Sequence, residues 1–317
     1  MIAAEKSADK VPYEFRPAKQ VERRMLLELF QRLMETGYRI SGYQYTGMGS
    51  FYFVDFIMFH RYLGIKKMVS VECVQAIDKR VHFNRPYGST VLDIVMGDIA
   101  DFIPSLSPDR KHILWLDFNF IITKEAIDAI VLAAAKLSPE SILLVTVDAE
   151  PPGPPNWGPK KWCQYFKSEA GDFLGNKSRN KHFARSNLVE VNASIIEKAI
   201  QNGLAGRDDV NFLPLVNFVY ADGHSMLSVG GMIGTEEDRQ NLRTLDHAKM
   251  PFMRDSITAN PYPIKVPLLT RKERLHLDAA MPCRKSWRPD EFEMKPEDVE
   301  IYREIYPYFP VYTEGLL

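Results

Sequence analysis

The chain has 317 residues, of which 45% are hydrophobic and 26% charged, a composition typical of a globular protein with a large folded core. Its formal net charge of −1 excludes a general electrostatic attraction to nucleic acid or to membranes. The cysteines Cys73, Cys163 and Cys283 form no CxxC pair, which argues against a disulfide framework and favours a reducing, cytoplasmic location. No signal-peptide stretch and no run of about 18 apolar residues occurs, so no membrane segment is predicted.

The first half of the chain predicts strands and helices in alternation. An N-terminal helical extension, residues 1–37, contains an amphipathic helix at 17–36 with an apolar face of Val21, Met25, Leu26, Leu29, Leu33 and Met34. Strands are predicted at 41–46, 67–72, 90–96, 113–117 and 142–148, with helices at 51–63 and 74–82 and a helix capped by Thr123 that runs to 136. This alternation predicts a parallel sheet that is buried on both faces.

The second half predicts a different pattern. Residues 149–185 are rich in proline and predict loops, and a capping box of Asn187 and Glu190 opens a helix to about 202. Strands at 212–220 and 225–233 flank an Asp-Gly turn, which indicates an antiparallel hairpin. Residues 236–317 predict a small, mostly helical C-terminal region, with helices starting at a Thr270–Glu273 capping box and at Pro296.

Together these elements predict an α/β fold. Residues 38–235 would form a doubly wound, mostly parallel, Rossmann-like sheet of seven strands that ends in an antiparallel hairpin. Dinucleotide-binding folds continue in parallel, so the reversed last strands favour a different class of α/β domain.

A glycine-rich turn after the first strand predicts a cofactor site. Gly47-Met-Gly49-Ser50 follows that strand, and Glu72 closes the second strand 23 positions after Gly49. This spacing resembles the roughly 20 residues between a ligand-binding turn and the carboxylate that accepts ribose hydroxyls in βαβ units. A tight turn without a ligand is the alternative interpretation.

The identity of the cofactor follows from what the turn lacks. A dinucleotide fingerprint needs a third glycine where this chain has Tyr52, and no Gly-Lys-Ser/Thr of a P-loop follows. S-adenosylmethionine has no phosphate and needs only a close approach of the backbone. A dinucleotide is therefore disfavoured, and the two-glycine turn of Gly47 and Gly49 suits S-adenosylmethionine.

Several motifs resemble those of a known family. RPAKQVERRM (16–25), YTGMGSFYFVDF (45–56), FNRPY (83–87) and WLDFN (115–119) resemble a bacterial family of putative O-methyltransferases, and residues 38–233 resemble a class I S-adenosylmethionine-dependent methyltransferase. In that family the last of these motifs ends in a second acid, whereas this chain has Asn119. The resemblance implies fold and cofactor and leaves the acceptor open.

The resemblance also implies roles for individual residues. Tyr45 and the Gly47, Gly49 and Ser50 turn would contact the methionine part of the cofactor, Glu72 the ribose, Asp98 the adenine, and Asp117 the cofactor amine or the acceptor. For catalysis, Asp117 is the first candidate base, with Asn119 beside it and His224 and His60 as weaker candidates. No group of side chains has the spacing of a metal site, so no metal is predicted.

Two basic segments are candidates for contacting the acceptor. Lys19 and Arg23 lie in the first, and Trp157, Lys160 and Lys161 open the second, residues 157–185, where aromatic side chains alternate with lysines and arginines. Such a segment suits a single-stranded nucleic acid or a nucleotide, or it is a solvated loop with a few buried aromatics. The neutral net charge favours a small or phosphate-bearing acceptor over a long polyanion.

Three functions remain open at this point. The leading one is O-methyl transfer to a small or phosphate-bearing acceptor. The second is a binding protein that has lost catalysis, for which Asn119 is the motive and a role in bacterial defence a guess. The third is a nucleic-acid methyltransferase that uses residues 157–185. The oligomeric state is open, with a dimer as one possibility.

Overall fold

The structure, a computed structural model, describes residues 16–177, 179–245 and 249–310. The first 15 residues of the predicted N-terminal extension lie outside this part. The helices are α1 (Pro17–Glu35), α2 (Val54–Leu63), α3 (Asp78–Asn84), α4 (Ile99–Phe102), α5 (Lys124–Lys136), α6 (Pro159–Ala170), α7 (Leu188–Leu204), α8 (Glu236–Leu242), α9 (Arg271–Ala280) and α10 (Pro296–Ile305). The strands are β1 (Gln44–Gly47), β2 (Lys67–Glu72), β3 (Leu92–Met96), β4 (His112–Ile121), β5 (Ser141–Asp148), β6 (Asn211–Ala221), β7 (Ser225–Gly234) and β8 (Tyr262–Ile264).

The strands form one eight-stranded sheet in the order β3-β2-β1-β4-β5-β7-β6-β8. The strands β3, β2, β1, β4 and β5 pair in parallel, and β7 runs antiparallel to both β5 and β6. The prediction of a mostly parallel α/β sheet that ends in an antiparallel hairpin is therefore confirmed. The predicted count of seven strands is too low, because β8 pairs in parallel with the outer side of β6.

Two apolar clusters cover the two faces of the sheet. One joins α1 and α2 to side chains of the C-terminal helices, including Leu277, Tyr302 and Ile305. The other is formed by α5, α6 and α7 against the opposite face. Burial on both faces explains why the central strands are continuous apolar runs instead of alternating ones.

Helix α1 is held at the sheet by an acid that is distant in sequence. The Asp222 carboxylate, in the turn between β6 and β7, accepts the backbone N–H groups of Ala18 (3.0 Å) and Lys19 (2.9 Å). These amides have no partner inside the helix, and a negative charge beside them is favoured by the helix dipole. The predicted apolar face is buried except at Met34, which is 38% exposed.

The segment 149–185 differs from its prediction. Helix α6 occupies its middle, with Pro159 in the first turn, a position where the missing N–H of proline costs nothing. The predicted capping box before α7 does not form, because the Asn187 side chain makes no capping hydrogen bond. The capping boxes or caps at Thr123 and Thr270 are present as predicted.

The division of the chain into an extension, a central domain and a C-terminal region stays a prediction. Strand β8, from the third part, pairs with β6 of the second. The C-terminal region therefore contributes a strand to the sheet as well as helices. The sequence did not indicate this strand, because three residues are too few to show a pattern.

Candidate functional site

A cavity opens at the carboxyl edge of the sheet, where β1, β2, β3, β4 and β6 end. In open α/β sheets this edge is the place where ligands bind. The cavity is lined by Arg16, Lys19, Arg23, Met48, Gly49, Ser50, Tyr52, Val54, Val71, Glu72, Cys73, Val74, Ile77, Gly97, Asp98, Ile99, Asp117, Phe118, Asn119, Phe120, Glu125, Ala126, Ala129, Tyr220 and Met226. Most of the predicted site residues are among them.

The glycines of the turn after β1 are required by packing inside the protein. A Cβ on Gly47 would lie 2.6 Å from the hydroxyl of Tyr45, and a Cβ on Gly49 would overlap the ring of Phe53 and lie 2.9 Å from Ser70 Oγ. Gly49 lines the cavity, whereas Gly47 and the fully buried Tyr45 lie beneath it. The prediction that Tyr45 and Gly47 contact the cofactor themselves remains untested, and the structure gives both a supporting position.

The loop between β1 and α2 has a strained backbone. Ser50 and Phe53 both have left-handed conformations, with φ of 51° and 48°. Such conformations cost about 1–3 kcal/mol each in a residue other than glycine, and they persist where the surroundings impose them. This loop also shifts the start of α2 to Val54, three residues after the predicted start.

Glu72 ties this loop to β2. Its Oε1 accepts the Ser50 N–H (2.9 Å) and the Ser70 hydroxyl (2.7 Å), and the side chain is almost fully buried in the cavity wall. Burial raises the pKa of Glu72, and the hydrogen bonds from Ser70 and Ser50 oppose that effect. A buried carboxylate with one oxygen fixed by the cofactor loop can accept ligand hydroxyls with the other.

Asp98 lies at the end of β3 and caps α4. Its Oδ1 accepts the Ala100 N–H (2.8 Å). The capping role and the predicted contact with adenine are compatible, because Asp98 also lines the cavity, as do Ile77 and Ile99.

Asp117 is paired with a lysine from α1. Lys19 Nζ lies 2.8 Å from Asp117 Oδ1 and 2.9 Å from Glu22 Oε2. Burial works against the charge of Lys19, but the two carboxylates outweigh it and raise its pKa well above the ordinary value. Lys19 also lies over the ring of Trp115, at 4.3 Å from its centroid. This ammonium therefore lies between two carboxylates and over an aromatic ring, which all favour its charged form.

The strand β4 is irregular directly after Asp117. Its pairing with β5 shifts between Asp117 and Ile121, so the intervening residues lie in a bulge. Bulges change the direction of side chains and are frequent beside active sites. Asn119 lies in this bulge, is exposed and lines the cavity next to Phe118 and Phe120.

A second buried ion pair lies under the loop. Arg23 Nη2 is 4.0 Å from Asp55 Oδ1, and the hydroxyl of Tyr45 donates to Asp55 Oδ2. The guanidinium atoms Nε and Nη1 of Arg23 are buried and have no hydrogen-bond partner in the described part of the chain. Arg23 lines the cavity.

Other predicted residues lie outside the cavity lining. His224 is 73% exposed and pairs with Asp148 at 3.3 Å, and His60 binds the Ile65 carbonyl with Nδ1 at 2.7 Å. Trp157, Lys160 and Lys161 lie before and within the first turn of α6, where none of them lines the cavity. The structure therefore does not bring these five residues together with Asp117.

Two of the aromatic side chains of residues 157–185 are buried and therefore take no part in a stacking surface. Phe166 and Phe183 are fully buried and stack on each other, with their centroids 5.4 Å apart. Lys177 pairs with Glu190 at 2.7 Å, and Arg185 pairs with Glu150. The alternative interpretation, a solvated surface above a few buried aromatics, fits this geometry.

Sequence reasoning missed two lining residues, Tyr220 and Tyr52, and one residue that positions the lining, Asp222. Tyr220 is the next-to-last residue of β6, which runs in the same direction as β5, so the rule of carboxyl ends could have identified it. Tyr52 was considered only as a missing glycine. Asp222 does not line the cavity but places α1 there, and no local pattern indicates a contact across 204 positions.

Two further findings describe what the structure contains. Across residues 16–177, 179–245 and 249–310, no group of three or more His, Cys, Asp or Glu side chains could hold a metal ion. In the same residues no helix has the length and apolar character to cross a membrane.

Remote structural similarity links the chain to several solved proteins. The cofactor-bound Rv0187 from MTB has 14% identity over 74% of this chain and 88% of that chain, with a TM-score of 0.40. The O-methyltransferase TomG from Streptomyces achromogenes, in complex with SAM, has 15% identity over 66% and 79%, with a TM-score of 0.37. An O-methyltransferase from Bacillus cereus, in complex with SAH, has 13% identity over 66% and 79%, with a TM-score of 0.36.

The comparison of sequences is more direct. No curated protein matches the chain significantly. A family model described as "Putative O-methyltransferase" matches residues 11–317, almost the whole chain. This match confirms the predicted resemblance and the prediction of a methyltransferase. The chain belongs to the family of proteins described as putative O-methyltransferases.

Proposed function

We propose that the cavity binds S-adenosylmethionine and that the protein transfers its methyl group to an oxygen atom of a small acceptor. The position of Glu72 carries this proposal. Its Oε1 is fixed by Ser50 of the loop and by Ser70, at the carboxyl end of β2, so Oε2 is the oxygen that would accept the ribose hydroxyls. A carboxylate in this position is typical of adenosine-binding α/β sheets.

The remaining lining residues fit the other parts of this cofactor. Asp98 would accept from the adenine amine, with Ile77 and Ile99 packing on the ring. Gly49 and Ser50 would approach the methionine part, and Ser50 Oγ is a buried hydroxyl without a hydrogen-bond partner among the described residues. A donor of this kind in a cavity wall supports the presence of a polar ligand.

The protein contributes alignment and a place for one proton. When bound, S-adenosylmethionine supplies a sulfonium methyl group, which forms a C–O bond with a lone pair of the acceptor while its S–C bond breaks. Fixing the two reactants against each other lowers the barrier by up to about 7–11 kcal/mol. Asp117 would accept the acceptor's hydroxyl proton on Oδ2 and pass it to water, while Lys19 holds Oδ1 at 2.8 Å.

We also propose a small acceptor and a bacterial cytoplasmic protein. The cavity lining also includes Phe120, Tyr220 and Met226, which suit a compact, partly apolar molecule. The resemblance to a bacterial family supports the origin. The cysteines Cys73, Cys163 and Cys283 are all free, which supports a reducing compartment.

Isothermal calorimetry with S-adenosylmethionine and S-adenosylhomocysteine tests this proposal. The wild type should bind both, and Glu72→Gln should weaken binding about 10- to 100-fold, because a hydrogen bond to a charged group contributes about 1.5–3 kcal/mol. Asp93→Asn is the matched control, since Asp93 lies on the neighbouring strand β3 outside the cavity lining.

Three results would contradict the proposal or a part of it. A folded wild type that binds neither ligand would show that the cavity does not serve this cofactor. Equal binding by the wild type, Glu72→Gln and Asp93→Asn would show that Glu72 does not bind the ribose. Binding without methylation of any small acceptor would favour the protein that has lost catalysis.

A further inference from the structure

We propose that Arg23 forms a carboxylate subsite of the cavity and binds the α-carboxylate of the cofactor's methionine part. This inference rests on the proposed function and assigns one more contact to it. It also revises the earlier expectation for Arg23, which grouped it with Lys19 as a residue for the acceptor.

The first argument is the unsatisfied guanidinium. Arg23 lies in the second turn of α1, its side chain is 6% exposed, and it lines the cavity. Within the described residues its Nε and Nη1 have no hydrogen-bond partner. Buried donors of a charged group are costly when unpaired, and a planar guanidinium matches the two oxygens of a carboxylate.

The second argument is that Asp55 does not satisfy Arg23. Their closest atoms are 4.0 Å apart, beyond hydrogen-bond distance, and Asp55 Oδ2 already accepts the hydroxyl of Tyr45. Burial raises the pKa of Asp55, with Arg23 acting in the opposite direction. Arg23 therefore has an electrostatic partner in Asp55, while its Nε and Nη1 have no hydrogen-bond acceptor among the described residues.

The third argument is the location of Arg23 beside the loop. Asp55 is in the first turn of α2, so the guanidinium lies near the N-terminal end of that helix, directly after the loop that contains Gly49 and Ser50. A helix N-terminus favours an anion, which adds to the charge of the arginine. The proposed function places the methionine part against this loop and the ribose at Glu72.

Lys19 is the other buried cation of the cavity lining, and its ammonium group is already paired with carboxylates of the protein. It pairs with both Glu22 and Asp117 at less than 3 Å, so it does not compete for the same carboxylate. This difference between the two cations separates their roles: Lys19 orients Asp117, and Arg23 binds the ligand.

The test compares two ligands that differ by one group. Calorimetry measures S-adenosylhomocysteine and its decarboxylated analogue, which keeps the amine and lacks only the carboxylate. The wild type should bind S-adenosylhomocysteine about 10- to 100-fold more tightly than the analogue, as expected for a charge-assisted pair. Arg23→Gln should bind both ligands with the affinity that the wild type has for the analogue.

Controls separate this effect from a loss of structure. Arg32→Gln removes an exposed arginine from the same helix and should keep the full preference. Because Arg23→Gln leaves Asp55 buried without its cation, the double variant Arg23→Gln/Asp55→Asn keeps the charge balanced and should show the same loss of preference. Thermal melts establish that each variant is folded.

The outcomes are distinct. A wild type that binds both ligands equally would overturn the subsite whether or not the variants fold. If the preference for S-adenosylhomocysteine survives in Arg23→Gln or in the double variant, another group binds the carboxylate. The earlier expectation that Arg23 contacts the acceptor would then stand again. Failure of the wild type to bind either ligand would instead overturn the proposed function.

Discussion

Gly47 ends β1 and Gly97 directly follows β3, both at the carboxyl edge, yet they should tolerate alanine very differently. A Cβ on Gly47 would lie 2.6 Å from the Tyr45 hydroxyl, whereas a Cβ on Gly97 meets nothing within 4 Å. We expect Gly47→Ala to lower the free energy of unfolding by about 1–3 kcal/mol, the usual cost of overpacking. Denaturant unfolding of the two variants measures this difference.

The Gly97→Ala variant also reports on the cavity. Gly97 lines it, so the added methyl group points to space that a ligand would use or to solvent. Its unfolding free energy should stay within about 0.5 kcal/mol of the wild type. Equal destabilisation of both variants would show that the contact with Tyr45 does not explain the glycine at position 47.

Glu72 predicts a release of protons on cofactor binding at acidic pH. Burial raises its pKa above the ordinary value of 4.5, so part of the free protein carries a proton on Glu72 at pH values where a free glutamate is ionised. Ribose hydroxyls donate to the ionised form, so binding expels this proton and affinity falls as the pH falls through the raised pKa. Calorimetry in buffers of different ionisation enthalpy measures the release.

Glu72→Gln provides the control for this pH dependence. Glutamine does not titrate, so its complex should release fewer protons than the wild-type complex in the same acidic buffers. Proton uptake in the wild type, or the same release in both proteins, would assign the titration to another group of the cavity.

At the scale of single residues, the predictable part of the site was the part that follows strand ends. Glu72 ends β2, Asp98 follows β3 and Asp117 precedes the bulge of β4, so the rule for the carboxyl ends of parallel strands brought them together. His224 lies in a turn at the same edge, its side chain is 73% exposed and pairs with Asp148, and its catalytic role stays a prediction. Asp117 also forms an ion pair with Lys19, a contact that only the fold reveals.

At the scale of elements, the placement of α1 should be separable from its stability. Asp222→Ala removes the acceptor for the Ala18 and Lys19 N–H groups and should cost about 0.5–2 kcal/mol, as other N-terminal caps do. Because α1 carries Arg16, Lys19 and Arg23 into the cavity, affinity for S-adenosylhomocysteine should fall as well.

Thr270→Ala is the matched comparison for Asp222→Ala. Thr270 caps α9 by accepting the Glu273 N–H, and neither residue lines the cavity. Its loss should cost a similar free energy of unfolding and leave ligand affinity unchanged. If both variants weakened binding to the same extent, the effect of Asp222 would be one of general stability.

Long apolar elements were predicted well, and short ones were not. Strand β2 has the predicted bounds, because an apolar run between polar ends has few alternatives. Strand β8 has only three residues and α8 only seven, so neither produces a clear periodicity. Helix α6 was not predicted because it lies in a segment rich in proline, although Pro159 in fact occupies its first turn.

At the scale of the whole molecule, the C-terminal region should unfold together with the sheet. Arg24 Nη1 of α1 donates to the Phe309 carbonyl at 3.1 Å, and Tyr302 and Ile305 are buried in the same cluster as the apolar face of α1. Tyr302→Ala should therefore destabilise the entire protein by about 3–5 kcal/mol, because it empties a shared core.

Hydrogen exchange in denaturant measures this cooperativity. In the wild type, the amides of α10 should lose protection at the same denaturant concentration as those of β4. The two elements should also lose protection together in Tyr302→Ala. Loss of protection in α10 alone, with β4 unaffected, would support the proposed division in which residues 236–317 are a separate unit.

The pairing of Asp222 with the start of α1 has a consequence for the order in which the site is made. The two partners are 203 and 204 positions apart, so a ribosome has released α1 long before the turn after β6 appears. Until then α1 lacks the hydrogen bonds from its Ala18 and Lys19 amides to Asp222. The part of the cavity lining that contains Lys19 and Arg23 is therefore not yet in place. A nascent chain would therefore acquire affinity for its ligand only after most of its length has been synthesised.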